Sequence, residues 1–80
     1  MQTPEAIARG YISQLDQYQN KLLLKDNGEN TAEILTMIRF LERIRLEMLD
    51  AQTPREAIEY YHSMRHGKVA LRMKRYGLEM

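Results

Sequence analysis

Residues 30–51 read NTAEILTMIRFLERIRLEMLDA, and this stretch determines the fold class. Its apolar side chains recur every three or four residues, the spacing of one face of a helix, and further apolar residues widen that face beyond half of the circumference. A face this wide needs neighbours on two sides. The pattern predicts a central helix over residues 30–51 with an apolar seam that faces either the core or a second copy of the chain. The predicted seam residues are Ile34, Met37, Leu41, Ile44 and Met48.

The start of this helix has the pattern of a capping box. Asn30 is placed to cap the first turn, and Glu33 follows three residues later, where its carboxylate can reach back to the backbone. We therefore expect Asn30 to be the N-cap residue.

Upstream, a first helix is predicted over residues 3–27. Thr3 is a suitable N-cap, Pro4 needs no hydrogen-bond donor at the first helical position, and Glu5 favours the positive end of the helix. Apolar residues between Ile7 and Leu22 share one face of this helix. We expect the helix to end where Asn27 or Gly28 adopts the left-handed conformation, and to form an antiparallel hairpin with the central helix.

Downstream, Thr53, Pro54 and Glu56 mark the start of a third helix, predicted over residues 54–66. The link after the central helix is short, which requires an antiparallel or steeply crossed neighbour. Because glycine disfavours a helix interior, Gly67 predicts a bend or break; if the helix continues through it, the helix reaches residue 76. The expected fold is all-α: one domain, residues 1–80, containing a three-helix bundle whose C-terminal part is bent or broken near Gly67.

The segment after Gly67 is basic and amphipathic. No acid lies between residues 60 and 76, whereas residues 1–50 hold more acidic than basic side chains. We expect this segment to be set apart from the hairpin and to bind a partner, with cations on one face and apolar anchors on another. The predicted partner-binding residues are Arg65, Lys68, Arg72 and Arg75, with Val69, Met73 and Tyr76 as anchors.

Size and composition limit the protein classes. The chain has 80 residues, no cysteine, 12 Lys+Arg and 11 Asp+Glu, which excludes a disulfide scaffold and a cysteine-based zinc finger. No apolar run is long enough to span a membrane or to act as a secretory signal, so we expect a cytoplasmic protein without a membrane partner. Because a domain this small has a limited core, we expect a homo-oligomer, most simply a dimer.

Catalytic and metal-binding patterns are weak. Glu59, His62 and His66 could share one helical face, but a di-iron bundle needs more Glu and His ligands than this chain offers. The chain also lacks a cysteine nucleophile, a serine elbow and a phosphate-binding glycine loop. We therefore expect no enzyme, no metal and no cofactor, and solvent-facing histidines.

Three functional hypotheses remain open. The first is a non-catalytic protein-binding module, an adaptor or inhibitor that regulates a partner by occupying its surface through the basic segment. The second is a nucleic-acid-binding regulator of transcription or of a mobile element that uses the same cations on phosphates. The third is a structural subunit of a larger helical assembly, whose neighbours cover the excess apolar surface of the central helix.

Overall fold

The computed structural model describes residues 2–80, and within that range all regular secondary structure is helical. Four α-helices follow one another, and a turn of 3₁₀ helix extends the last. Their bounds are Pro4–Leu24 (α1), Thr31–Asp50 (α2), Pro54–Met64 (α3), Lys68–Met73 (α4) and Lys74–Tyr76 (the 3₁₀ turn). The all-α prediction is confirmed. None of the helices described is long and apolar enough to cross a membrane.

Threonine caps begin α1 and α3. The Thr3 hydroxyl accepts a hydrogen bond from the Ala6 N–H at 3.2 Å, and the Thr53 hydroxyl accepts one from the Glu56 N–H at the same distance. In both helices proline occupies the first turn, where a backbone N–H would have no intrahelical partner. These local signals set the two start points.

Asn30 is the N-cap residue of α2, as expected, and its carbonyl accepts from the Ile34 N–H at 2.9 Å, but the expected side-chain cap is wrong. The Asn30 backbone is not extended (φ −100°, ψ 12°), and its side chain forms no cap hydrogen bond to α2. The side chain turns back into the loop instead: its Oδ1 accepts from the Asn27 N–H at 2.8 Å, and its Nδ2 donates to the Lys25 carbonyl at 2.9 Å. Asn30 therefore holds the loop that joins α1 to α2.

The same loop corrects the predicted end of α1. The helix ends at Leu24, and Gly28, with φ +85°, lies within the loop and does not cap the helix. The Asp26 carboxylate accepts from the Thr31 hydroxyl at 2.7 Å and from the Gly28 N–H at 2.9 Å. Both hydrogen bonds lower the pKa of Asp26 because they stabilise its charged form, and the bond from Thr31 has the larger effect. The loop is thus ordered by its own side chains.

Polar pairs show that α1 and α2 are antiparallel. Gln19 donates to Glu42 Oε2 at 3.0 Å, and the earlier residue Asp16 lies opposite the later residue Arg45. Arg45 Nε is 3.3 Å from Asp16 Oδ1, an ion pair that is not aligned as a hydrogen bond. The residue numbers of the paired side chains decrease along α1 while they increase along α2. The two helices therefore run in opposite directions, as in a helical hairpin.

The core lies between α1, α2 and α3, and α2 contacts each of the other three helices. Leu15 and Leu22 of α1 are fully buried against this centre, as is Tyr61 of α3. All five predicted seam residues of α2 are buried within the single chain, so the seam faces the core and not a second copy. They are Ile34, Met37, Leu41, Ile44 and Met48.

The predicted break near Gly67 is confirmed. Helix α3 ends at Met64, and Gly67 precedes α4 in an extended conformation (φ −74°, ψ 168°). After the 3₁₀ turn, Gly77 adopts the left-handed conformation with φ +77°. The Leu78 N–H donates to the Met73 carbonyl and the Gly77 N–H to the Lys74 carbonyl, the two bonds of a Schellman motif. This motif turns the chain back towards the core.

The expectation that residues 67–80 stand apart from the hairpin is wrong. Ala70, Met73 and Leu78 are buried, and the last two belong to the core cluster. The Tyr18 hydroxyl of α1 donates a hydrogen bond to the Glu79 carbonyl. The amphipathic pattern of this segment is satisfied by its own domain, because its apolar face covers the end of the bundle.

Candidate partner-binding surface

The four cations predicted to bind a partner are all exposed. Lys68 and Arg72 lie on α4, Arg65 lies in the turn before it, and Arg75 lies in the 3₁₀ turn after it. We call these four residues the basic surface. Because α4 is fixed by Ala70, which is buried, the surface is part of the folded domain and not of a loose tail.

The predicted apolar anchors do not join the cations at this surface. Met73 is fully buried in the core and unavailable to a partner in this conformation. Val69 and Tyr76 are half-buried against the core cluster, and the Tyr76 hydroxyl is bound to Glu33. The helical spacing correctly predicted that these three residues share one face of the segment, but that face packs against the core.

The apolar residue that does lie among the cations is Leu71, which the sequence analysis did not select. Its side chain is 54% exposed. It lies three residues after Lys68 and four before Arg75, so the helix places it on the same outward face as both. This spacing could have identified Leu71 from the sequence. The longer apolar series that contains Val69 and Met73 was selected in its place.

None of the four cations of the basic surface forms an ion pair within the described part of the chain. Within residues 2–80 the ion pairs are those of Arg45, with Asp16 of α1 and with Glu42 of α2 itself. Arg65 Nη1 is 3.3 Å from His62 Nδ1, a contact that contributes no acidic group. The four cations are therefore exposed and not engaged in ion pairs within residues 2–80.

Two further basic residues extend the surface on one side. His66 and Lys74 line a small cleft of about 150 Å³ together with Arg65. Glu79 lines the same cleft and is its acidic member. The cleft is too small for a drug-sized molecule, since ligand pockets begin at about 300 Å³. It forms the edge of the basic surface.

A tyrosine cluster supports the turn that carries Arg65. The rings of Tyr11 and Tyr61 stack with centroids 4.1 Å apart and planes parallel within 1°. The Tyr61 hydroxyl donates to Gln14 Oε1 at 2.6 Å, and Gln14 Nε2 donates to the Tyr18 hydroxyl at 2.9 Å. Burial raises the pKa of Tyr61 to about 12, because the phenolate would lose its hydration there.

His62 packs against the same cluster. Its ring meets Tyr11 edge-on with centroids 5.5 Å apart, and its Nε2 is 3.4 Å from the Tyr11 hydroxyl. The expectation of two solvent-facing histidines is therefore wrong for His62, which is half-buried, and right for His66, which is exposed. Across residues 2–80 no group of three or more His, Asp and Glu side chains is arranged to hold a metal.

What the basic surface can do is bind, since it presents fixed positive charge around one exposed apolar side chain. Comparison of this chain with protein-family models, with curated proteins and with solved structures finds no match.

Proposed function

We propose that this chain is a non-catalytic regulator that binds an acidic patch on a protein partner through the basic surface, with Leu71 as the central apolar contact. It acts as an adaptor or inhibitor by covering that patch. We expect this regulator to act in the cytoplasm, because its apolar runs are short.

The observation that carries the proposal is the exposure of Leu71 among cations that form no ion pair within residues 2–80. An exposed leucine on a helix has no use in phosphate binding, whereas protein interfaces bury apolar contacts inside a polar rim. Lys68 and Arg75 flank Leu71 on the outward face, three residues before it and four after it, and Arg72 follows it directly in the sequence. The chemistry fits a protein surface with acidic residues around an apolar depression.

The packing of the α4 segment on the core supports this proposal. Met73 and Leu78 anchor the segment in the core, so the cations need little ordering on binding. A pre-ordered surface loses less conformational entropy than a tail that folds on its partner. Its charges also raise the rate of encounter with an acidic partner, an effect that salt weakens.

Nucleic acid is the second candidate, and one observation favours it: residues 60–76 contain no acid beside these cations. The fold leaves few tyrosine rings near these cations for stacking on bases, because Tyr61 is buried and the Tyr76 hydroxyl is bound to Glu33. Tyr60 is the remaining half-buried tyrosine of this stretch. A nucleic-acid complex would therefore depend on phosphate contacts, with little stacking on bases.

Two probes separate the candidates in fluorescence anisotropy titrations. One is a labelled peptide of alternating Glu and Leu; the other is random-sequence DNA, as duplex and as single strand. Each is titrated from about 50 to 200 mM salt, because phosphate binding weakens steeply over this range. Wild type is expected to bind the peptide in preference to DNA.

Three variants test which residues are responsible. One neutralises the basic surface by Arg65→Gln, Lys68→Gln, Arg72→Gln and Arg75→Gln, and the second is Leu71→Ser. The third is a control with the same charge change at exposed cations elsewhere: Arg9→Gln, Lys25→Gln, Arg43→Gln and Arg55→Gln. We expect the first to abolish peptide binding, the second to weaken it about tenfold, and the control to keep it.

Two results would overturn the proposal. DNA binding that is lost on neutralisation and kept in Leu71→Ser would assign the basic surface to nucleic acid. Peptide binding that is absent at low salt, or equal in the neutralised variant and the control, would show that the basic surface does not recognise acidic protein.

A further inference from the structure

Helix α2 has a second stripe on the side that faces away from the core. Its members follow one another at intervals of three and four residues, the repeat of a coiled-coil seam, and it is separate from the basic surface. We call it the outer stripe. It consists of Ala32, Leu35, Arg39, Glu42, Leu46 and Leu49.

The outer stripe is open to solvent. Leu35 is 42% exposed, Leu46 55% and Leu49 57%, and these are half of the large exposed apolar residues in the part of the chain described. Ala32 and Arg39 are exposed as well. The three leucines form apolar ends of the outer stripe on either side of Arg39 and Glu42, and a monomer leaves them uncovered.

The order of residues in the outer stripe identifies its partner. When two copies of the stripe are placed side by side in opposite directions, each leucine of one copy lies opposite an apolar residue of the other. The arginine of each copy then lies opposite the glutamate of the other. We propose that the outer stripe binds the outer stripe of a second copy of this chain, antiparallel, about a two-fold axis between positions 40 and 41. The facing pairs are Ala32 with Leu49, Leu35 with Leu46, and Arg39 with Glu42.

Charge fixes both the direction and the register of this contact. In a parallel pair Arg39 would face Arg39 and Glu42 would face Glu42, which is repulsive. In the antiparallel pair the two-fold axis produces two Arg39–Glu42 contacts, one on each side of the axis. A shift by one heptad would place a charge against a leucine at several positions, so the register is specified.

Both charged residues are available for this contact. Arg39 is exposed and forms no ion pair within residues 2–80. Glu42 accepts from Gln19 and pairs with Arg45 at 3.3 Å, yet its side chain is 43% exposed. A carboxylate has about four lone-pair positions, so Glu42 can accept from Arg39 of the second copy while keeping both existing contacts.

The contact leaves the basic surface free. Glu33, which holds Tyr76, lies on nearly the opposite side of α2 from the middle of the outer stripe, and α4 packs on that opposite side. The dimer would therefore present two basic surfaces to solvent. Its existence does not depend on what the basic surface binds.

A charge exchange tests the register. Arg39→Glu sets two glutamates against each other at both contacts, and Glu42→Lys does the same with two cations, so each variant alone is expected to be monomeric in sedimentation velocity. When the two are mixed, the new glutamate at 39 faces the new lysine at 42, and the other contact keeps Arg39 and Glu42. The mixture is expected to form a heterodimer.

Matched controls separate this effect from a general change of charge or stability. Arg43→Glu and Glu47→Lys make the same exchanges at exposed positions of α2 outside the outer stripe. Both are expected to dimerise like wild type. Circular dichroism shows whether Glu42→Lys, which also loses contacts to Gln19 and Arg45, remains folded.

Engineered cysteines test the same geometry without charge. The chain has no cysteine, so there is no background cross-linking. Leu35→Cys mixed with Leu46→Cys is expected to form a disulfide-linked heterodimer. Each variant alone is expected to cross-link poorly, because two copies of one position lie about 16 Å apart along the helix axis, beyond disulfide reach.

Several results would overturn the proposal. Wild type that stays monomeric at every concentration would remove the dimer, and a dimer that survives Arg39→Glu would place the interface elsewhere. Efficient cross-linking of Leu35→Cys with itself would show a parallel contact. A folded mixture of the two charge variants that remains monomeric would exclude the antiparallel register.

Discussion

The Tyr76 hydroxyl donates a hydrogen bond of 2.7 Å to Glu33 Oε2 across 43 residues of sequence. It joins the 3₁₀ turn after α4 to the first turn of α2. This bond to the carboxylate is the main cause that raises the pKa of Tyr76, because only the neutral hydroxyl can donate it. Together with the burial of Met73 and Leu78, it holds the C-terminal segment on the bundle.

Removing this bond is expected to loosen the segment without unfolding the bundle. In Tyr76→Phe, the Leu78 amide, which donates to the Met73 carbonyl, should exchange its hydrogen faster, while amides in the middle of α2 keep their protection. Hydrogen exchange followed by nuclear magnetic resonance measures both. Tyr60→Phe is the control, since the Tyr60 hydroxyl has no hydrogen bond within residues 2–80; equal exchange in the two variants would contradict the assignment.

Truncating Met73 is expected to destabilise the whole domain. Met73→Ala removes a fully buried side chain from the core and should lower the free energy of unfolding by about 2–4 kcal/mol. Leu71→Ala, two residues earlier and more than half exposed, should change it by less than about 0.5 kcal/mol. Urea unfolding measures the difference. If both variants behaved alike, α4 would not be part of the cooperative core.

The glycine at the end of the 3₁₀ turn is expected to be required for its conformation. Gly77→Ala forces an L-residue to φ +77° and should lower the free energy of unfolding, measured by thermal unfolding, by about 1 kcal/mol. Gly10→Ala is the opposite case, because Gly10 lies inside α1 and an added Cβ meets no atom within 4 Å. Gly10→Ala should therefore raise the free energy of unfolding by about 0.5–1 kcal/mol. A stabilising Gly77→Ala would mean that the Schellman turn does not form.

Local signals were sufficient to predict most of the helical architecture. Thr3 and Thr53 cap their helices through hydroxyls three residues from the bonded N–H, a relationship contained within one turn. The N-cap position of Asn30 was predicted correctly, but its side chain does not cap α2 because it forms hydrogen bonds within the loop, to Asn27 and Lys25. Sequence shows which bonds a residue can form, and the loop conformation selects among them.

The basic surface could be predicted only in part, for a different physical reason. Periodicity separated Met73 and Val69 from the cations correctly, but an amphipathic pattern does not state what covers its apolar face. In this fold the cover is the chain's own core, reached through the turn at Gly77 and the insertion of Leu78. Such a long-range contact has no signature in the local sequence.

The stability of the domain is expected to fall at alkaline pH because of Tyr61. Its pKa is raised from 10.0 to about 12 in the folded state, mainly by burial and then by the neighbouring Tyr18 and Tyr11. In the unfolded chain Tyr61 loses its proton near pH 10, while the folded chain keeps it until about pH 12. The unfolded state therefore binds fewer protons between these values, and the free energy of unfolding decreases as pH rises.

Tyr61→Phe tests this dependence because it removes the ionisable group and keeps the ring that stacks on Tyr11. At neutral pH the variant should be less stable by about 1 kcal/mol, since the hydrogen bond of 2.6 Å to Gln14 is lost. Above pH 10 the wild type loses stability through Tyr61 and the variant does not, so the gap in urea-derived free energy should narrow. A gap that stays constant across the alkaline range would show that Tyr61 ionises equally easily in the folded and unfolded chains.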